Sequence, residues 1–404
     1  MTTDRYHLTA AQAADALGVA RATLYAYASR GQLRSEPVPG RSRERRYVRE
    51  DILRLQERKE ARRNPERAAA RGLHWGGPVL ESGITLIHGG RFYYRGRNGV
   101  TLAGTATLEE VALLLWEAGP GERDGLFAQP CPLPLRLLAG LRAGARDPLT
   151  LCQSALPIAA ARDLSAYDRR PAAVRHTGAR LVRLLVAILA QRDSHRPLHQ
   201  ALQAAWAPGR PAAGDAIRTA LVLCADHELN ASAFTARCAA SAGASPYDVV
   251  SAALATLKGY KHGGAAEDVL NLMAAADGPK GARAAVARRL RRGARVPGFG
   301  HPLYPEGDPR AAALIQLAEA SGREAGWRPA RHLWRAGSEL LHDHPNLDFG
   351  LAAITRAYGL PAQAPVLLFA LGRTVGWIAH AMEEYASDQL IRPRARYTGP
   401  SPPA

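Results

Sequence analysis

The chain has 404 residues, 47% of them hydrophobic and 22% charged, which excludes a disordered or collagen-like protein and allows one to three domains with real cores. Its 53 Lys and Arg against 36 Asp and Glu leave a formal charge of +17, carried mostly by Arg, since Lys stands only at Lys59, Lys258, Lys261 and Lys280. That excess admits polyanions or anionic substrates as partners. Four scattered cysteines exclude a disulfide framework or a zinc ribbon.

Elements in chain order begin with a small unit. Ala10 to Leu17 reads as a helix capped by Thr9, Gly18 as a turn, and Ala20 to Arg30 as a second helix closed by Gly31. A basic hairpin or wing, Arg41 to Val48, and a helix from Glu50 to Glu60 follow. Helix, tight turn, helix and basic wing is the layout that sets a helix into a DNA major groove. Arg21, Thr23, Tyr25, Tyr27, Arg30, Arg43, Arg45 and Arg46 are its candidate DNA contacts, and a helical docking module is the plainer alternative. From Met1 to Gly72 there are sixteen basic against nine acidic residues, a net of +7. The domain is expected over residues 1–62, with a charged linker over 63–78.

Short strands are expected at Ile84–Ile87 and Phe92–Tyr94, around Gly89-Gly90. Helical periodicity then dominates, in Leu108 to Trp116, Ala179 to Gln191, Ala212 to Cys224, Pro246 to Tyr260 and Val366 to Ala386. Arg373 and His380 interrupt the last of these, which is therefore a core helix rather than a membrane span. Met1 to Arg5 lacks the apolar core of a signal peptide, and the tail Ser401 to Ala404 reads as disordered. The expected setting is cytoplasmic and the expected fold mainly α.

Polar residues on Gly and Pro punctuation stand out from this Ala/Leu-rich background. Asp226-His227-Glu228 ends an apolar run, and His262 precedes Gly263-Gly264. His301 closes Val296-Pro297-Gly298-Phe299-Gly300, and Asp308-Pro309-Arg310 opens a helix. Cationic Arg310 opposes the macrodipole there, so a bidentate carboxylate is its expected partner. Asp348, between Leu347 and Phe349, is either a general base with a raised pKa or a helix N-cap. Arg373 on an apolar helix needs an anionic mate or must reach out to the surface. No metal-ligand spacing is present.

Taken in order, these motifs resemble the citrate synthase family. The likeness covers Ala225–Ser232, His262–Ala265, Pro297–His301, Asp308–Arg310, Asn346–Phe349, Gly372–His380 and Arg392-Pro393-Arg394. Tyr94-Arg95-Gly96 and Leu108–Trp116 look like that family's opening. The first unit, with Leu8–Ala14, Leu17-Gly18-Val19, Thr23-Leu24-Tyr25 and Arg46-Tyr47, resembles the MerR and excisionase helix-turn-helix.

The resemblance implies large and small helical domains over residues 79–404, the small one over roughly 264–360. It implies acetyl-CoA and oxaloacetate as substrates and no separate cofactor. Asp348 is then the base, His262 the enolate stabiliser and His301 the acid. His227, Arg310, Arg373 and, from a neighbouring subunit of a homodimer, Arg392 bind the dicarboxylate. Val296, Pro297, Gly298, Phe299 and Gly300 would line the CoA site. The run after His301, Pro302 to Gly307, lacks the basic residues that often meet CoA phosphates there, and Arg291, Arg292 or Arg295 are expected to serve instead. Asp348-Phe349 also runs on into Gly350-Leu351-Ala352 rather than the usual Tyr-Ser-Gly-like turn. A metabolite-sensing DNA-binding regulator and a 2-methylcitrate synthase using propionyl-CoA remain as alternatives.

Overall fold

A computed structural model describes residues 7–38, 41–49, 51–53, 55–56, 79–122, 125–145, 147–276, 278–395 and 397–400. Met1 to Arg5, the expected linker from 63 to 78 and the tail from 401 lie outside these residues. The chain divides into two units, residues 1–81 and 82–404.

In the first unit Arg41–Val48 is the middle strand of an antiparallel sheet, between His7–Thr9 and Ser35–Val38. Thr9 and Gln12 form a reciprocal capping box that starts the helix Ala10–Leu17. Gly18, at φ 59°, turns the chain towards the helix Arg21–Ser29. Both helices pack through Ala13, Ala14, Leu17 and Leu24 onto Leu33, Tyr47 and Ile52. Buried Asp51 accepts the Arg34 backbone N–H at 2.7 Å and both arms of its guanidinium at 2.9 Å, anchoring a third helical segment. Of the expected Glu50 to Glu60 helix, residues 51–53 and 55–56 are helical, and Glu50, Arg54 and 57–60 lie outside the described residues.

The second unit opens on an antiparallel meander, Thr85–His88, Arg91–Tyr94 and Arg97–Asn98. The rest is helical. Ala364–Ser387 runs through the core, packed by Ala212–Cys224, Ala231–Ser241, Pro246–Leu257 and Pro171–Ala190. It is long and apolar enough to cross a membrane, but 83% of that stretch is buried within the protein. Gly372 and Gly376 let it lie against the end of Ala212–Cys224, where a Cβ would strike the Leu221 carbonyl at 2.6 Å and the Ala225 carbonyl at 2.4 Å. Gly278–Arg291, Pro309–Glu319, Glu324–Leu341 and Leu347–Tyr358 pack chiefly on one another.

Boundaries moved for local reasons. The Ala179 to Gln191 helix begins at Pro171, because proline suits a first helical position. Pro246–Leu257 stops before the expected Tyr260, where Gly263 N–H folds back onto the Leu257 carbonyl at 2.9 Å.

Candidate active site

Local chain geometry delivers each polar side chain to one region. His227 follows the end of Ala212–Cys224, in a turn where the Tyr94 hydroxyl donates to the Val222 carbonyl at 3.0 Å. His262 sits in the loop before Ala265–Ala274, with Nε2 2.9 Å from Ser232 Oγ. Ser232 Oγ also receives Trp377 Nε1–H at 3.2 Å and lies 2.8 Å from Asn230 Oδ1. The His262 ring meets that of Phe369 edge-on at 5.8 Å.

The glycine loop before His301 is tied to the segment that carries Asp348. Gly300 N–H donates to the His344 carbonyl at 2.8 Å, and Asn346 N–H to the Gly298 carbonyl at 2.9 Å. Gly298 and Gly300 have φ 84° and 76°, and a Cβ would strike Val269 Cγ2 at 2.8 Å in the first and Asp343 Oδ2 at 2.5 Å in the second. His301 Nδ1 accepts Leu303 N–H at 3.2 Å, which leaves Nε2 to carry the proton of the neutral ring.

Asp348 is not the N-cap. Asn346 caps the helix Leu347–Tyr358, accepting the Asp348 N–H at 3.1 Å, so the Asp348 carboxyl projects from the first helical turn. Gly350 continues that helix instead of turning, and a Cβ there would press on Leu314 at 3.0 Å.

Arg310 found a carboxylate, but one of the chain's own. Its Nε and Nη2 grip Asp308 at 2.9 and 2.8 Å, both residues being 3% exposed. Asp308 also caps its helix and accepts Leu347 N–H at 3.0 Å, linking two helix starts. Arg373 neither reaches the surface nor meets an ion-pair partner among the described residues. It is 1% exposed, its Nε donates to the Cys224 carbonyl at 2.8 Å, and its Cζ lies 4.6 Å from the Phe369 ring centroid.

Electrostatics joins these groups. Burial raises the Asp348 pKa to about 6, with nearby Arg310 opposing and Asp308 adding to the shift. Burial lowers His301 to about 4, assisted by Arg310, and His262 to about 4, assisted by Arg373. Burial, then Arg310, Arg373 and His301, holds His227 well below the usual histidine range. Arg310 thus acts on His227, His301 and Asp348, and Arg373 on His227 and His262. The rings of His227 and His301 stand 5.2 Å apart, edge to face. Neutral imidazoles, a carboxyl that titrates near neutrality and two buried guanidiniums are equipped to move a proton beside a carbonyl in an anionic substrate.

A cavity of about 630 Å³ opens beside His301, lined by Leu290, Ala294, Arg295, Val296, Phe299, Gly300, Pro302, Pro305, Leu341 and Asp343. Val296, Phe299 and Gly300 of the expected CoA loop line it directly. Pro297 and Gly298 hold the loop without lining the cavity. Arg291, Arg292 and Arg295 are exposed at its approach. Arg392 lies outside the cluster, exposed on the segment after Ser387.

On the first unit Arg21, Thr23, Tyr25, Arg30 and Arg45 are exposed. Tyr27 is half-buried and packs in part on the core. Arg46 is half-buried and bonded to Glu36 Oε2 at 3.0 Å, so its charge is already answered within the sheet. The side chain of Arg43 lies outside the described residues.

Sequence reasoning missed three participants: Ser232, Trp377 and Tyr304. Ser232 stands two positions after the N-cap Asn230 and Trp377 four after Arg373, spacings that place each on the inner face of its helix. Tyr304, amid an irregular Pro-rich run, gave no such signal.

A helical fold that gathers three buried or half-buried imidazoles, a buried carboxyl and two buried guanidiniums suits acid–base chemistry on an anionic substrate. Residues 72–394 match the family model for the citrate synthase C-terminal domain, and residues 8–60 that for a helix-turn-helix domain. The chain belongs to the citrate synthase family and carries an N-terminal helix-turn-helix. It is 33% identical to citrate synthase of Haloferax volcanii, over 80% of this chain and 93% of that protein. It is 30% identical to 2-methylcitrate synthase 2 of Corynebacterium glutamicum, over 76% and 88%. It resembles the ternary complex of carboxymethyl coenzyme A and oxaloacetate with citrate synthase from Thermoplasma acidophilum at TM-score 0.70 and 25% identity, covering 83% of this chain and 97% of that one.

Proposed function

We propose that the chain condenses acetyl-CoA with oxaloacetate and hydrolyses the resulting thioester to citrate and CoA, without a resident cofactor. Asp348 removes a methyl proton from the thioester. His262 stabilises the enolate oxygen, its ring held by the 2.9 Å contact of Nε2 with Ser232 Oγ. The carbanion attacks the keto carbon, and His301 delivers its Nε2 proton to the new alkoxide. Arg310, Arg373 and His227 hold the dicarboxylate. CoA enters the cavity beside His301, where Arg291, Arg292 and Arg295 meet its phosphates. The Asp348 carboxyl carries this reading, because burial brings its pKa to about 6, close to working pH.

CoA release from acetyl-CoA plus oxaloacetate tests it, with propionyl-CoA in parallel. Wild type should turn over, and Asp348→Ala should lose about 10²- to 10⁴-fold in kcat. Faster turnover of propionyl-CoA would move the assignment to 2-methylcitrate synthesis, the activity named for one of the relatives. No turnover with either rejects catalysis.

Further parts of the reading are a small domain over residues 264–360 that closes on substrate, and a homodimer in which Arg392 completes a neighbouring copy's site. Mixing inactive Arg392→Ala and Asp348→Ala chains should restore activity if the site is shared. A cytoplasmic setting fits the four unpaired cysteines. Exposed Arg21, Thr23 and Tyr25 on one helix, with Arg30 at its C-cap, favour DNA as a second partner of the full chain. Arg21→Ala should then weaken binding to upstream DNA and leave turnover unchanged.

A further inference from the structure

Tyr304 meets His227, His301 and Arg310 of this cluster, and the chemistry above gives it no part. It is 2% exposed. Its hydroxyl lies 2.9 Å from His227 Nε2, and its ring centroid lies 5.5 Å from that of His227 and 5.1 Å from that of His301. Arg310 Cζ stands 5.4 Å from the same ring. Two turns fix its backbone: Tyr304 N–H donates to the His301 carbonyl at 3.0 Å, and its own carbonyl accepts Gly307 N–H at 3.0 Å.

Phenylalanine would fill this space equally well, so the hydroxyl requires a separate reason. A buried phenol must find a hydrogen-bond partner, and this one finds an imidazole that faces both arginines. A neutral imidazole has one N–H and one lone pair, and a firm bond at either nitrogen fixes the ring plane, while a partner that can only donate also fixes the tautomer. Leu303 N–H does both for His301 at Nδ1. The Tyr304 hydroxyl, which can donate or accept, is placed to fix the ring plane of His227 at Nε2.

We propose that Tyr304 is a positioning residue for the keto-acid site, setting the orientation of His227 through its hydroxyl while its ring walls His301 and Arg310. The proposal rests on the citrate synthase reading. It predicts that loss of the hydroxyl alone is felt by oxaloacetate and not by acetyl-CoA.

Tyr304→Phe in the full chain keeps the ring and removes the hydroxyl. Its KM for oxaloacetate should rise about tenfold, with the acetyl-CoA KM, kcat and melting temperature little changed. Tyr304→Leu, which removes the ring as well, should also lower kcat, because His301 and Arg310 lose their shared wall. Calorimetric titration of each protein with oxaloacetate alone should show the same loss of affinity. An oxaloacetate KM and Kd within twofold of wild type in Tyr304→Phe overturn the proposal. Wild-type binding without turnover would reject the catalytic reading while the calorimetric comparison still decides the role of Tyr304. Absence of wild-type oxaloacetate binding overturns both.

Discussion

The candidate site holds two buried arginines kept in place on different principles. Arg310 brings its own counter-ion, gripped at two points, and Asp308 spends its remaining capacity tying together the starts of two helices. Arg373 is equally buried, but its Nε goes to a backbone carbonyl and its guanidinium lies over a phenyl ring. The carboxylate that offsets its charge is Asp226, which acts at range while bonded to Thr85 and His380. A paired buried arginine can serve as scaffold. A buried arginine without an ion pair opposes folding, which makes a ligand anion the expected partner of Arg373 under the proposed function.

Removal of each side chain separates the two roles. Arg310→Ala strands Asp308 as a buried uncompensated charge and should cost about 3–5 kcal/mol of stability, visible in denaturant unfolding, along with the loss of turnover. Arg373→Leu should behave oppositely, with stability unchanged or raised by about 1–2 kcal/mol and oxaloacetate affinity at least 100-fold weaker by titration. Equal destabilisation by both would erase the distinction.

The pH profile shows to which arginine the base belongs. Only the ionised Asp348 can accept a proton, so kcat/KM should fall as pH drops through about 6, where its carboxyl titrates. Arg310 and Asp308 shift that group and Arg373 is not among its perturbers, so the residual activity of Arg373→Leu should keep the same acid limb. Because burial disfavours the ionised form, Asp348→Asn should be no less stable than wild type at neutral pH.

Much of this contrast was open to reading in the sequence. An arginine beside Asp-Pro at a helix start, and another in the apolar run Leu367–Gly372, are departures that helix physics alone exposes. Which anion each would meet was not legible. The pairing of Arg310 with Asp308 is made at a helix start where Asp308 is the N-cap, and the isolation of Arg373 depends on helices brought together by Gly372 and Gly376. The fold class was readable because Ala/Leu periodicity is local, whereas the Tyr304–His227 contact spans 77 positions.

The smallest expected effect lies behind Arg373. Thr85 Oγ1 donates to Asp226 Oδ2 at 2.6 Å, and His380 Nε2 lies 3.2 Å from Oδ1. Thr85→Val keeps the shape and removes one of the two donors, which should cost about 1–2 kcal/mol of stability because the acceptor is charged and buried. The charge on Asp226 survives, so its field at Arg373 survives with it, and the oxaloacetate KM should change by less than about threefold. Asp226→Asn takes the field away and should disturb binding more than Thr85→Val does. A large KM change in Thr85→Val would mean that Asp226 holds Arg373 in place by its position rather than by its charge. Arg373 would then be part of the scaffold, as Arg310 is, and the anion-waiting group would have to be sought elsewhere in the site.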